Sequence, residues 1–299
     1  MEHINVTFLG TSNAVPTKNR NHTSLLLEYK DEHILIDCGE GTQRQFSYAE
    51  KSAHKLTRIL ITHWHGDHIL GLPGLIQTLS LGNYNKKLHI YGPKGTLYWF
   101  EKIKPFCGTK IINIEVHEIS EGVFLDNNEW CLKAANSNHG TPALAYSFIL
   151  KGRRRLDRNK IKKLKLPNSP LLGKLQEGKS IIWKGKKIYS KNLSFIEPER
   201  KITFIMDTGY TENLVNLAKN SSLIISESTF TELERDKAHE RLHLTAKEAA
   251  TIAKKAKAES LALIHISQRY EHSSSYILNE AKKIFKKVVI PNDLDSIII

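Results

Sequence analysis

RILITHWHGDH, residues 58–68, is the most informative run of this sequence. Its first five residues form a compact apolar stretch, which predicts a buried strand. Three histidines and one aspartate follow within six residues, and imidazole and carboxylate are the side chains that bind zinc and harder divalent ions. Four such groups crowded into one loop predict a metal site, and their number suits two adjacent ions. The alternative is a polar surface loop.

Further metal ligands are expected at the ends of other predicted strands. They are His139, Asp207 after the apolar run 202–206, and His265 after the run 261–264. A carboxylate at the end of a buried strand needs a cation or hydrogen-bond donors. Each of the three, taken alone, is more often a turn residue than a ligand. Together with the histidine-rich loop they supply the six or seven ligands that two ions need, and Asp207 could bridge the ions.

The rest of the chain alternates between apolar runs and helical apolar spacing, which predicts an α/β protein with helices packed on sheet. Predicted strands cover 4–9, 24–29, 33–37, 58–62, 88–91, 111–116, 131–135, 143–150, 202–206, 223–226 and 261–265, and predicted helices cover 71–81, 213–219, 245–258 and 274–286. His89, His117 and six other histidines carry no motif and are interpreted as ordinary polar residues.

The charge of the chain is concentrated in one segment. The 299 residues are 40% apolar and 25% charged, which excludes wholesale disorder, and their net charge is +13. Residues 151–191 contain fifteen lysines and arginines against Asp157 and Glu177, which accounts for the whole excess. Such a segment indicates binding to a polyanion such as nucleic acid, or else a solvated basic insertion. Its prolines and glycines indicate a shaped loop. It interrupts one domain, because predicted metal ligands lie on both sides of it.

Composition also bears on the cellular compartment. The sequence contains no apolar run of about 18 residues, so no membrane-spanning helix is expected. The N-terminus lacks the basic and apolar regions of a signal peptide. Three sparse cysteines, Cys38, Cys107 and Cys131, argue against a disulfide framework and for a reducing compartment. We therefore expect a cytoplasmic protein that does not associate with membranes.

The metal motif leads to a resemblance. A His-x-His-x-Asp-His run followed by a lone His, a lone Asp and a C-terminal His resembles the metallo-β-lactamase superfamily. Within it the sequence is similar to the ribonuclease Z family of tRNA 3′-processing endonucleases, over about residues 4–290. The motifs that carry the similarity are FLGTS (8–12), PTKNRN (16–21), DCGEGTQ (37–43), SESTF (226–230), HLTA (243–246) and HISQRY (265–270).

The resemblance implies a fold and a cofactor. Residues 1–299 would form a single metallo-β-lactamase domain, a four-layer αβ/βα sandwich, with two zinc ions per subunit at one sheet edge. The basic segment 151–191 would be an inserted arm that protrudes and binds tRNA, often from the partner subunit of a homodimer. The implied ligands are His63, His65 and His139 for one zinc, Asp67, His68 and His265 for the other, and Asp207 as the bridge.

The resemblance also implies roles for residues near the metals. Asp37 would hold the histidine loop without touching metal. From the residues themselves, either Asp67 or Asp207 could accept a proton from the attacking water, and we favour Asp67. His243 would protonate the departing 3′ oxygen, and Glu227 would orient or charge it.

Substrate contacts are expected in three places. The loop 16–21 would read phosphate or base edges near the cut, Arg269 and Tyr270 would hold a phosphate or stack a base or cap the site, and the arm would hold the tRNA body. The expected contact residues are Lys18, Arg20, Asn21, Arg269, Tyr270, Arg153, Arg154 and Arg155.

Three functions compete on this sequence. The leading one is a zinc-dependent endoribonuclease that removes the 3′ trailer of precursor tRNA by two-metal activation of water and leaves a 3′ hydroxyl. The second is a small-substrate hydrolase of the same superfamily, acting on a cyclic phosphodiester, thioester or lactone, but it would have no use for the basic segment. The third is a non-catalytic RNA-binding protein with structural zinc. The ligand set disfavours that interpretation because structural zinc sites usually include cysteine.

Overall fold

The α/β pattern expected from the sequence is present in the computed structural model, which describes residues 2–108 and 111–299. The strands are β1 Asn5–Gly10, β2 Ser24–Tyr29, β3 Glu32–Ile36, β4 Arg58–Leu60, β5 Leu88–Gly92, β6 Ile114–Glu118, β7 Gly122–Asp126, β8 Trp130–Asn136, β9 Leu144–Leu150, β10 Arg153–Leu156, β11 Ile181–Trp183, β12 Lys186–Ile188, β13 Ser194–Glu197, β14 Arg200–Ile205, β15 Leu223–Glu227, β16 Leu261–Ile264, β17 Val288–Val289 and β18 Ser296–Ile298. The α-helices are α1 Thr42–Tyr48, α2 Gly66–Ile69, α3 Leu72–Leu81, α4 Thr96–Ile103, α5 Arg158–Lys163, α6 Pro170–Gln176, α7 Ser190–Leu193, α8 Glu212–Ala218, α9 Arg235–Glu240, α10 Ala246–Lys255 and α11 Ser274–Ile284.

Two mixed sheets form the centre of the fold. The first has the strand order β18-β1-β2-β3-β4-β5-β6, and the second has the order β17-β16-β15-β14-β9-β8-β7. Strands β3 to β6 are parallel to one another, as are β14 to β17. Because parallel strands end at the same edge of a sheet, the residues that follow β3 and β4, and those that follow β14 to β16, are brought together.

The two sheets pack face to face and carry helices on their outer faces. The rings of Tyr29 and Phe148 meet between the sheets at 5.9 Å, and the Tyr146 hydroxyl donates to the Ile61 carbonyl at 2.6 Å. Helices α1, α3 and α4 pack on the first sheet, and α8, α10 and α11 pack on the second. This arrangement is the metallo-β-lactamase sandwich of four layers that the resemblance implied.

Helix α10 shows how the sequence produces one of these outer layers. Thr245 and Glu248 form a reciprocal capping box that begins the helix, and its buried face carries small alanines such as Ala249 and Ala253. Small side chains let the helix lie close to the sheet, while the cap satisfies backbone donors that would otherwise be unpaired.

Some predicted boundaries differ from the structure. The predicted strand 111–116 begins only at Ile114, and the predicted helix 245–258 ends at Lys255. Helices α1 and α4 and strand β7 were not predicted. Strand β7 has only three consecutive apolar residues, at 123–125, and none of its five residues is buried.

The basic segment belongs to a second compact unit made of residues 127–131 and 149–200, and the rest of the described chain forms the first. In this second unit, β10 pairs with β13 and β11 pairs with β12, both antiparallel. The unit has a hydrophobic cluster of its own, formed by Ile161, Leu166, Leu175, Ile181 and Leu193. The segment predicted as a shaped loop therefore contains helices, strands and a small core.

No helix in the described part of the chain has the length and apolar character needed to cross a bilayer.

Candidate metal centre

The seven predicted metal ligands form two adjoining groups that share Asp207. One group contains His63, His65 and His139, and the other contains Asp67, His68 and His265. Within each group the candidate ligand atoms, with those of Asp207, lie within 4.8 Å of one another.

Strand ends and two unusual backbone positions place these side chains. His63 and His65 follow β4, and Asp207 and His265 follow β14 and β16. His265 has a φ of 58°, as does Asp37 at 56°, which is the left-handed region that residues other than glycine rarely adopt. Backbone held in this region by the surrounding structure is typical of functional sites.

The histidine loop is held closely against the segment that follows β3. The Cys38 amide donates to the His68 carbonyl at 2.7 Å, and the Gly71 amide donates to the Cys38 carbonyl at 2.9 Å. A Cβ at position 71 would lie 2.1 Å from the Gly39 carbonyl oxygen, so only glycine permits this approach.

The first group has the nitrogen spacing of a zinc site. The His65 Nδ1 atom lies 3.1 Å from His63 Nε2 and 3.2 Å from His139 Nε2. Two nitrogens bound to one tetrahedral zinc at about 2.0–2.1 Å are about 3.3 Å apart. The nearest Asp207 oxygen is 3.8 Å from His63 Nε2. Burial lowers the pKa of His63, which favours the neutral, metal-binding form of its ring.

The second group contains buried polar atoms that lack hydrogen-bond partners. These atoms are His68 Nε2, His265 Nε2 and Asp207 Oδ1. Both ring nitrogens face the same carboxylate oxygen, at 3.4 Å and 3.1 Å respectively. Buried polar atoms are almost always paired, and leaving three unpaired is costly. A bound cation would satisfy all three, so the residues present fit a metal.

The charge state of Asp207 agrees with this interpretation. Burial by itself would raise the pKa of this carboxyl, but the imidazoles of His265, His68 and His63 hold it well below its usual range. Asp67 behaves in the same way, since burial raises its pKa but His265 and His68 outweigh that effect. Two ionised carboxylates among histidines are a donor set for borderline divalent metals.

Asp37 lies behind the loop and does not belong to either group. Its carboxylate accepts hydrogen bonds from the Thr62 amide and hydroxyl, each at 2.7 Å, and its Oδ2 lies 2.7 Å from His68 Nδ1. A carboxylate on one ring nitrogen orients the other nitrogen toward the metal. This placement supports the holding role that the resemblance implies.

His243 and Glu227 form a pair next to Asp207. The fully buried Glu227 carboxylate accepts from the Thr208 amide and the Thr229 hydroxyl, each at 2.7 Å, and lies 3.1 Å from His243 Nδ1. Burial lowers the pKa of His243, but Glu227 outweighs this effect and raises it to about 9. The opposite ring nitrogen, Nε2, lies 4.0 Å from Asp207 Oδ2. The ring is thus protonated at neutral pH.

A cavity of about 450 Å³ opens over these side chains. Residues from both metal groups line it, together with His243, Phe230 and Arg269. The Arg269 guanidinium lies over the Phe230 ring and pairs with Glu234 at 2.9 Å. Tyr270 lines a neighbouring apolar cavity, where its hydroxyl bonds to Glu234 and Thr231. Arg269 and Tyr270 are both predicted substrate contacts. Arg269 lines the same cavity as the metal groups, whereas Tyr270 lines the neighbouring one.

In the loop 16–21, Arg20 differs from its predicted role in substrate contact. Its guanidinium is 6% exposed and donates to the Thr11 hydroxyl at 2.6 Å and to the Pro291 carbonyl at 2.9 Å. Lys18 is exposed and Asn21 half-buried. The Arg20 guanidinium therefore anchors the loop to Thr11 and Pro291. Lys18 and Asn21 remain the candidate substrate contacts of the loop.

Asp293 is a residue of this region that the sequence did not reveal. Its carboxylate accepts from the Asn21 amide at 2.6 Å and from the Thr11 hydroxyl at 2.7 Å. Burial raises its pKa to about 6. Because its partners lie about 270 residues away in sequence, no local pattern could have identified this contact.

The three arginines predicted to hold tRNA lie on β10 of the second unit. Arg153 pairs with Glu129 and Glu197, and Arg155 with Glu197. Arg154 donates to the Ser194 hydroxyl at 2.9 Å. All three side chains thus have partners within their own unit.

The chain is similar to several proteins called ribonuclease Z. It is 41% identical over 295 residues to that of Methanothermobacter thermautotrophicus, which covers 98% of this chain and 95% of the relative. It is 36% identical over 298 residues to that of Archaeoglobus fulgidus, covering 98% and 96%.

Solved structures and a family model add to this comparison. The fold matches human tRNase Z, short form, with a TM-score of 0.71, 27% identity and 98% of each chain covered. It also matches the metallo-β-lactamase fold protein YhfI from Bacillus subtilis, with a TM-score of 0.72, 19% identity and 100% of each chain covered. A family model described as anti-Pycsar protein Apyc1 matches residues 4–108. Identities of 41% and 36% over nearly the full length of both chains show that this chain belongs to the ribonuclease Z family.

Proposed function

We propose that this protein is a zinc-dependent endoribonuclease that removes the 3′ trailer of precursor tRNA and leaves a 3′ hydroxyl on the tRNA. The observation that carries the proposal is the pair of ligand groups sharing Asp207, in a chain 41% identical to a ribonuclease Z. The unpaired buried atoms of His68, His265 and Asp207 support a bound cation there.

We assign one zinc to His63, His65 and His139, a second to Asp67, His68 and His265, and Asp207 to both. When bound, two zinc ions supply an activated water at neutral pH and neutralise charge on the phosphate oxygens. Asp67 would accept the proton of the attacking water, because it lines the cavity and lies in the ligand group with His68 and His265.

His243 would donate a proton to the departing 3′ oxygen. Its Nδ1 atom faces Glu227, so Nε2 is the atom that can face the substrate, and the raised pKa keeps the ring protonated. Glu227 would orient the ring and maintain its charge. Lys18, Asn21 and Arg269 would contact phosphates or bases next to the cut.

The second unit would be an inserted arm that holds the body of the tRNA through its lysines and arginines. Eleven basic and two acidic residues lie between 157 and 193. Some of these lysines make cation–π contacts, with the ammonium of Lys184 over the Trp183 ring and that of Lys187 over the Tyr189 ring. Interleaved cations and aromatic rings suit RNA. We further propose that the protein acts as a cytoplasmic homodimer.

Cleavage of a labelled precursor tRNA tests the function. We expect one cut at the 3′ side of the tRNA body and a product with a 3′ hydroxyl. A zinc chelator should abolish the cut and added zinc should restore it, because the ligand groups act only when occupied. The product end is mapped by sequencing and by its ability to be extended by a polymerase that needs a 3′ hydroxyl. Cutting that is insensitive to chelation would contradict the proposal.

A small phosphodiester, tested beside the tRNA, separates this function from the small-substrate alternative. If the small compound is hydrolysed with the higher kcat/KM, the tRNA assignment is wrong and the basic unit needs another explanation.

The His243–Glu227 pair gives a second prediction. His243→Ala should lower kcat about 100-fold, the lower end of what a general acid contributes, because water can partly replace it. Glu227→Gln keeps the shape of the pair but removes the charge that raises the pKa of His243. The alkaline limb of the kcat–pH profile should then move down by about one to two pH units.

The matched control is Glu248→Gln, which changes a carboxylate that contacts His239 and caps α10. It should leave the pH profile in place. An unshifted limb in Glu227→Gln would show that Glu227 does not set the charge of His243.

A further inference from the structure

A second cluster of metal-binding side chains lies on the first sheet. It contains His89 on β5 and Glu115 and His117 on β6, and its ligand atoms lie within 4.8 Å of one another. None of the three belongs to either group that shares Asp207. In sequence they follow no metal motif, since 25 residues lie between His89 and Glu115.

The register of the two strands brings them together. Strands β5 and β6 are parallel, with His89 opposite Glu115 and Tyr91 opposite His117. Alternate residues of a strand point to the same face, so His89, Glu115 and His117 share one face of the sheet. Strand β6 is last in the strand order, so the cluster joins the end strand of this sheet to its neighbour.

The distances suit one ion. His89 Nδ1 lies 3.2 Å from His117 Nε2, close to the separation of about 3.3 Å for two nitrogens on a tetrahedral zinc. One carboxylate oxygen of Glu115 lies 3.8 Å from His89 Nδ1, and the other lies 3.9 Å from His117 Nε2. A small rotation of a half-exposed glutamate is enough to complete a set of three ligands.

The surroundings hold both rings in place. His117 stacks on Tyr91 with ring centres 4.5 Å apart and an angle of 14°, and on His89 at 5.5 Å and 21°. Burial and the nearby Arg58 lower the pKa of His89, so its ring is neutral and able to bind metal at neutral pH. The three side chains are 27–47% exposed, so an ion can enter from solvent.

Two neighbouring cations oppose binding, Arg58 opposite His89 on β4 and Lys87 beside Glu115. The Lys87 ammonium lies 3.0 Å from a Glu115 oxygen and is 49% exposed. In the absence of a metal it compensates the carboxylate, and a divalent ion would have to displace it. Its flexible, exposed chain allows that displacement, but it weakens the site relative to one without a lysine.

We propose that His89, Glu115 and His117 form a separate site for one zinc-class divalent cation, with water completing the coordination. Two imidazoles with one carboxylate are a ligand set that proteins use for zinc. An ion there would link β5 to β6 and so stabilise the end of the sheet. The site is independent of the proposed cleavage reaction.

Equilibrium dialysis of the full-length protein against buffered free zinc, with metal counted by mass spectrometry, tests the proposal. His117→Ala and His89→Asn should each bind one ion fewer per chain than the parent at saturation, while tRNA cleavage stays within about twofold. Glu115→Gln should weaken this one ion at least tenfold, and Lys87→Met should tighten it, because the competing charge is gone.

His33→Ala is the matched control, since His33 also lies on the first sheet beside a glutamate but in no three-ligand group. It should leave the zinc count unchanged. Equal zinc counts and affinities for the parent, Glu115→Gln and His117→Ala would overturn the proposal. If the parent protein does not cleave precursor tRNA, the proposed function is contradicted, but the proposal for this metal site still stands or falls on the zinc counts.

Discussion

Replacing His65 by alanine is expected to lower kcat for precursor tRNA by about 10⁴-fold. The ring nitrogen of His65 lies 3.1–3.2 Å from those of His63 and His139, so its loss removes one corner of a ligand set. Metal ions contribute several kcal/mol to such reactions, and about 5 kcal/mol corresponds to this factor. His65 is exposed, so the substitution should not unfold the protein.

Binding and cleavage should separate in this variant. The tRNA dissociation constant should change by less than about threefold, because the proposed binding surface lies elsewhere, and bound zinc should fall. His3→Ala, at an exposed histidine outside all the ligand groups, serves as the control. Cleavage at the parent rate by His65→Ala would exclude the two-metal mechanism.

Removing the basic part of the second unit is expected to weaken tRNA binding by about 1,000-fold at physiological salt. Leu156 and Ser194 face each other in the antiparallel pair of β10 and β13. Residues 157–193 can therefore be replaced by Asn-Gly, which closes a tight hairpin between these strands. The deletion removes all five buried residues of the hydrophobic cluster, and of the apolar residues packed against it Leu156 remains.

We expect tRNA binding to weaken because the basic residues of the second unit release counterions from the RNA backbone when they bind it. Each phosphate contact that is lost flattens the dependence of binding on salt by about 0.7–0.9 in the logarithmic slope. Hydrolysis of a small phosphodiester should persist in the deletion variant, because the metal residues lie outside 157–193. Filter binding across a salt series and the small-substrate assay measure the two effects separately.

A charge variant gives the matched comparison. Lys184, Lys186 and Lys187 are exposed on the β11–β12 hairpin, and changing all three to glutamine should reduce the salt slope by up to about 2–3. Glutamine at Lys282, Lys286 and Lys287, exposed in the first unit, removes the same charge and should have a smaller effect. Equal effects would mean that general charge, and not the second unit, holds the RNA.

Six of the seven predicted ligands of the metal centre follow a local rule in the sequence. His63, His65, Asp67 and His68 lie in one loop after an apolar strand, and Asp207 and His265 directly follow other strands. In an α/β fold the ends of parallel strands meet at one edge, so position along the chain is enough to predict proximity. The α/β class was predictable from apolar runs that alternate with helical apolar spacing, although α1, α4, β7 and the elements of the basic segment were not predicted.

Other features depend on contacts that no local pattern encodes. The sequence suggested substrate contact for Arg20, but in the folded chain its guanidinium is buried and donates to the Pro291 carbonyl. In the same region the Asp293 carboxylate accepts from the Asn21 amide of the loop 16–21. The basic segment was predicted as a shaped loop from its charge, prolines and glycines, and only folding gathers its apolar residues into a cluster.

By itself the sequence determined the fold class, the candidate ligands and the position of the excess charge, since apolar periodicity, strand ends and composition are local properties. Only the tertiary structure decided which polar side chains are buried and which meet. His89 and His117 show this most directly, because they appear ordinary in sequence, and the register of β5 against β6 places their ring nitrogens 3.2 Å apart. Register and burial come from packing across the whole chain, and a linear pattern does not contain them.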